Sequence, residues 1–156
     1  MNIILETLKE FFTNYILISA ISGWFLAQVA KTIVNLFTKE KVSLSTLLFS
    51  NGGMPSSHSA TVTALCTACG IREGVASGSF AVSLVLAAIV MIDASGVRYE
   101  TGKHAQIINK IAKEIFSGKP DEINTGLKEL VGHTPFQVII GAVLGIAIAA
   151  GFSFIM

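Results

Sequence analysis

Three long apolar runs divide the chain. Tyr15 to Phe37 reads YILISAISGWFLAQVAKTIVNLF, with Lys31 as its one charge, while Gly74 to Ile92 and Phe136 to Ile155 carry no charge at all. Each approaches the ~20 residues that an α-helix needs to cross the hydrocarbon core of a bilayer, so each predicts a spanning helix. The stretch from His58 to Ile71 (HSATVTALCTACGI) is apolar but short. It predicts a fourth crossing, shallow and buried among the others, with a re-entrant helix as the alternative geometry. Between Met1 and Thr13, Ile4, Leu5, Leu8, Phe11 and Phe12 fall on one side of a helical wheel and Glu6, Lys9 and Glu10 on the other, the pattern of an interfacial helix. A cleaved signal segment needs a basic start and a small-residue cleavage site, and the early charge here is Glu6, so none is expected.

The polar interval from Asp93 to Pro135 contains helical patterns over Lys103 to Phe116 and Asp121 to Val131, separated by Ser-Gly-Lys-Pro at 117 to 120. It predicts a folded extramembrane hairpin within one domain that covers residues 1–156. The expected fold is therefore all-α: a polytopic membrane bundle of about four transmembrane helices with an N-terminal interfacial helix and a helical hairpin. Composition agrees with this class. Only 13% of residues are charged and 52% are apolar, too little charge to cover a soluble surface that ordinarily uses ~25%. A formal net charge of +1 gives no reason to bind nucleic acid.

Charge distribution says more than the sum. With four crossings, the loop at 38 to 57 and the hairpin share one face, which carries Lys39, Lys41, Arg98, Lys103, Lys110, Lys113, Lys119 and Lys128, against Lys9 and Arg72 on the other. That bias predicts a cytoplasmic hairpin and an integral, multi-pass protein of the cell membrane. Gly141, Gly145 and Ala149 repeat every four positions, as do Gly74 and Gly78, so close helix approach and a possible homodimer are expected. Cys66 and Cys69 form a CxxC within an apolar helix without a second ligand pair nearby, and are read as buried thiols; no metal is expected.

Candidate chemistry gathers on the basic face. Gly52-Gly53-Met54-Pro55-Ser56-Ser57-His58-Ser59 breaks the chain and then offers two serines as N-caps to an apolar helix. A helix N-terminus presents free N–H groups and the positive end of the macrodipole, hence an anion site with His58 in its first turn as a proton donor. Asp93 and Arg98 end one apolar helix, and His133 precedes another. On a helix His133 and Gln137 would be neighbours, which lets the amide oxygen accept the imidazole N–H and fix its tautomer. Structural readings stand beside these: a capped helix with a histidine at headgroup depth, a local Asp93–Arg98 salt bridge, and snorkelling of Lys31.

These residues resemble a known family. PSSH at 55 to 58 is similar to the PSGH motif of the type 2 phosphatidic acid phosphatase and vanadium haloperoxidase superfamily, and HTPFQVIIG at 133 to 141 resembles its third motif, His-x3-Asp-x3-Gly, with an amide in place of the acid. From QVAK at 28 to 31 through GGMPSSHSA, DASGVR, GKHA and GHTPFQV, the chain resembles the small bacterial and plastid branch called the divergent acid phosphatase/vanadium-dependent haloperoxidase-related family. The resemblance implies that His133 is the nucleophile, forming a phosphohistidine, and His58 the general acid. It further implies that Lys31, Arg98 and Ser57 cradle the phosphate without a metal or cofactor. The Lys-x6-Arg-Pro motif of the superfamily is absent around Lys31, and Gln137 replaces the acid that stabilises the attacking histidine, a role that Asp93 is a candidate to fill. The function so implied is hydrolysis of a lipid or polyprenyl phosphate, with noncatalytic binding or transport of a phosphate-bearing lipid as the alternative. The expected partners are a lipid phosphate and the surrounding membrane lipids.

Overall fold

A computed structural model describes residues 2–37, 53–115, 127 and 132–156. Among these residues are six helices and no strand: α1 (Asn2–Phe12), α2 (Tyr15–Phe37), α3 (Ser57–Glu73), α4 (Gly78–Ser95), α5 (Val97–Ile115) and α6 (Pro135–Phe152). The all-α fold expected from the hydrophobic pattern is thus observed. Helix α2 has the bounds read from its apolar run. Helix α4 starts later than Gly74, because Gly74 adopts a φ of +88° that ends α3, and the side chain of Ser77 then caps the new helix by accepting the Phe80 N–H at 3.2 Å. Helix α5 starts earlier than the expected Lys103, directly after a non-helical Gly96. Within the hairpin, Asn109 exchanges two side-chain hydrogen bonds with the Leu127 backbone, at 2.8 and 2.9 Å. The rest of the expected second arm, and the loop at 38 to 52, lie outside the described residues.

Three stretches are long and apolar enough to cross a membrane: α2, the span that begins with α4, and α6. Helix α3, at 17 residues, is packed between them. Its neighbours fix their directions. A Cβ at Gly141 of α6 would collide with the Ser56 carbonyl, one at Gly145 would collide with the Ala60 carbonyl and Thr63, and Ala149 packs with Ala64 and Ala68, so α3 and α6 run parallel. Gly23 of α2 faces Ala60, where an added Cβ would lie 2.8 Å from the carbonyl oxygen, while Tyr15 joins the Ala64–Ala68–Ala149 cluster and Lys31 reaches Gly53. Helix α2 is therefore antiparallel to α3. So is α4, whose Phe80 abuts Gly70 at one end and whose Ala94 carbonyl meets the His133 N–H at the other.

The packing is inside out relative to a soluble bundle. Ala, Gly, Ser and Thr fill the interior, with Ser19, Ser56 and Ser59 fully buried, whereas Leu84, Val85 and Ile89 of α4 and Ile139, Val143 and Ile146 of α6 are exposed. Lipid offers no hydrophobic penalty to large apolar side chains, so helices associate through small residues whose backbones approach closely. Interhelical hydrogen bonds add to this contact: Thr63 Oγ1 donates to the Ala142 carbonyl at 3.1 Å, and Tyr15 OH to the Ala149 carbonyl at 2.8 Å. The stripe at 141, 145 and 149 is thus engaged within the chain, while an added Cβ at Gly74 or Gly78 would meet nothing. Helix α1 keeps its apolar side exposed, including Phe11 and Phe12.

Replacing Gly145 by Leu should cost well over the ~1–3 kcal/mol usual for overpacking, because the obstacle is the α3 backbone. A Leu at Gly151, which faces open space on the same helix, should leave stability nearly unchanged. Melting of the two purified variants in mild detergent checks the contrast.

Candidate functional site

The parallel course of α3 and α6 places their two N-termini side by side, and the residues singled out in the sequence converge there. Ser56 caps α3: its Oγ accepts the Ser59 N–H at 3.4 Å, and its own N–H donates to the Gln137 carbonyl at 3.2 Å. Pro55, Ser56, Ser57 and Ser59 are buried, and His58 alone in this turn is exposed. Thr134 caps α6, its Oγ1 accepting the Gln137 N–H at 3.3 Å. Both helices therefore direct the positive ends of their dipoles to one end of the bundle.

His133 lies immediately before α6, with its N–H tied to the Ala94 carbonyl at 3.0 Å. Its side chain is 2% exposed, and neither ring nitrogen has a hydrogen-bond partner. Gln137 and the Gly53 backbone lie beside the ring. The His58 ring faces it, centroids 6.3 Å apart and tilted by 59°. Burial in the first place, and then the nearby Lys31 and His58 charges, push the His133 imidazole down to about 4. It is neutral at pH 7.

Lys31 is also buried at this end, at 2% exposure, so it does not snorkel outward. Its stem passes Gly53, whose φ of +90° calls for glycine; an added Cβ there would be in ordinary contact, 3.6 Å from the lysine Cγ and Cδ. Lys31, Arg98 and Asp93 all lie within electrostatic reach of His58. Arg98 donates through Nε to Asp93 at 2.5 Å, in a pair that is about half exposed. Ser57 opens α3 and is 3% exposed.

Two residues make contacts beyond those expected of them. The Gln137 side-chain oxygen accepts the Thr134 N–H at 3.0 Å, completing a capping box beside the His133 ring. Asp93 holds Arg98 and not His133. Sequence reasoning took Gly53 only as a chain breaker and gave Gly132 no role. In the structure Gly132 touches the Arg98–Tyr99 backbone, where a Cβ would collide, and so closes α5 onto the segment that carries His133. A glycine directly before a candidate histidine was the available signal. Beyond it, Tyr99, Lys103 and Gln106 of α5 share a pocket of about 230 Å³ with Gln137, Gly53 and Gly132.

What the arrangement offers chemically is an anion site with a neutral buried imidazole on one side, an exposed imidazole on the other, and cations around them. Among the described residues no cluster of His, Cys, Asp and Glu has the makings of a metal site.

Known proteins agree with the family resemblance. The profile of the Divergent PAP2 family matches residues 12–148. An uncharacterized membrane protein of Bacillus subtilis (strain 168), YuiD, is 41% identical over 147 residues, covering 88% of this chain and 92% of its own. No solved structure matches. With a helical fold that holds its histidines at one end of an apolar bundle and a family match over nearly its whole length, the chain belongs to the Divergent PAP2 family.

Proposed function

We propose that the protein is a membrane-embedded phosphomonoester hydrolase acting on a lipid or polyprenyl phosphate. The observation that carries this reading is the pair of facing imidazoles, His133 buried and unpartnered and His58 exposed, at the meeting point of two helix N-termini. In-line phosphoryl transfer requires a nucleophile ~3–3.5 Å from phosphorus and an acid within ~2.6–3.2 Å of the leaving oxygen. With their centres 6.3 Å apart, the two rings are close enough for both to address one phosphoryl group at this end of the bundle. Neutral His133 attacks phosphorus, the bond to the alkoxide breaks, and protonated His58 supplies the proton that leaves with the alcohol. Water then attacks the phosphohistidine, its proton passes to His58, the P–N bond breaks, and His133 is regenerated. Lys31, Ser57 and Arg98 hold the nonbridging oxygens.

A specific observation favours the alternative, noncatalytic binding of the same ligand: no carboxylate orients His133, since Gln137 is committed to its cap and Asp93 to Arg98. Phosphate release from a panel of lipid phosphates in detergent separates the two. Hydrolysis by the natural chain that falls at least 10²-fold in both His133→Ala and His58→Ala supports the enzyme. Binding without release supports the carrier. Gln137→Glu keeps the capping box and adds a negative charge beside the imidazole, so it should accelerate release if the amide limits the rate.

The orientation belongs to the same proposal. Because α3 runs alongside α6 and ends near Tyr15, we take it as a fourth crossing, with the hairpin cytoplasmic. In a chain lacking Cys66 and Cys69, a cysteine at Lys110 should be labelled from the cytoplasm and one at Arg72 from the opposite side. Labelling of both from one side would remove the crossing.

His133 also predicts a pH dependence of stability. Its folded pKa of about 4 is below the ~6.5 of an exposed imidazole, so the unfolded chain takes up the proton first as the pH falls. The contribution of neutral His133 is complete above pH ~6.5 and is lost progressively toward pH 4. Melting temperature should therefore drop more between pH 7 and pH 5 in the natural chain than in His133→Asn.

A further inference from the structure

The pocket is lined by Gly132 and Thr134, which flank His133, and it shares a wall with the site: Gly53 and Gln137 border both. At about 230 Å³ it is smaller than the ~300–1,000 Å³ of a site that encloses a whole drug-sized ligand, so it takes a group, not a lipid. Its side chains are rich in donors. The Gln137 oxygen is used by the Thr134 N–H, which leaves its amide NH₂ group to donate, and the Gln106 amide and the Tyr99 hydroxyl add to it. The charge comes from Lys103, whose Nζ lies 4.5 Å from the centre of the Tyr99 ring and 2.8 Å from Glu100. That ion pair is about half exposed on both sides, and exposed pairs contribute only ~0–1 kcal/mol, so a ligand oxyanion can draw the ammonium from it. Tyr99 and the helical backbone keep the amine at the pocket meanwhile.

We infer that the pocket formed by Tyr99, Lys103 and Gln106 of α5 against Gln137 and Gly132 is a subsite for a second oxyanion, so that the site prefers phosphoesters carrying a further anionic group close to the transferred phosphoryl group. The inference rests on the phosphate-site reading given above. It makes Lys103 and Gln106 specificity-determining residues and gives the Gln137 amide a binding role.

Binding of methylenediphosphonate and of ethylphosphonate, neither of which is hydrolysed, tests this by calorimetry on the full chain in detergent. The diphosphonate should bind about tenfold more tightly. Lys103→Gln and Gln106→Leu should each reduce that preference with little effect on ethylphosphonate, while Lys110→Gln, which removes a cation from the same helix outside the pocket, should retain it. Equal affinity for the two ligands in the natural chain would overturn the subsite and leave the phosphate site standing. A preference that survives Lys103→Gln would overturn its location. Failure of both ligands to bind would overturn the phosphate site itself, and the subsite with it.

Discussion

The contact between the backbones of α3 and α6 governs this molecule. Gly141 and Gly145 carry no Cβ because the carbonyls of Ser56 and Ala60 occupy that space, and Gly23 yields in the same way on the other side. In lipid, where apolar side chains gain nothing by hiding from their solvent, such close approach together with bonds like that from Thr63 to the Ala142 carbonyl supplies the association. The result is a short helix enclosed by longer ones. Its parallel alignment with α6 brings two N-termini together, and that alignment assembles the proposed anion site from segments separated by 75 residues, His58 to His133.

Electrostatics at that end follows from the packing. Lys31 is buried beneath Gly53, Arg98 is held by Asp93, and His133 is kept neutral by its burial and its cationic neighbours. A buried imidazole whose nitrogens lack well-placed partners is unfavourable, at ~1–3 kcal/mol for each unsatisfied polar group. In the proposed site a bound anion would complete it. The capping box of Thr134 and Gln137 serves this end by fixing the α6 terminus against the Ser56 N–H, and hence the position of His133 just outside the helix.

The spans of α2, α4 and α6 were legible because hydrophobic length is a local property, written in consecutive residues. Helix α3 was legible as a short apolar helix buried among the others, but not its contacts, since these depend on small residues that match glycines on other helices. The histidines were singled out from motif spacing, and Lys31, Arg98 and Ser57 from the family resemblance; the structure brings them to one end of the bundle. Their hydrogen bonds were not legible: that Gln137 closes the α6 capping box and that Asp93 bonds Arg98 depend on where the helices begin and end. The α5 pocket was invisible because it depends on Gly132 closing a 34-residue excursion back onto Tyr99 and Arg98.

In the proposed site His58 and His133 face a single anion. The chain has three histidines, so selective ¹³C labelling of histidine gives three resonances, assigned by replacing each in turn. Titration with inorganic phosphate in detergent should move His58 and His133 together, with one shared affinity, and leave His104 in place. A response confined to one of the pair, or two responses with different affinities, would contradict the account.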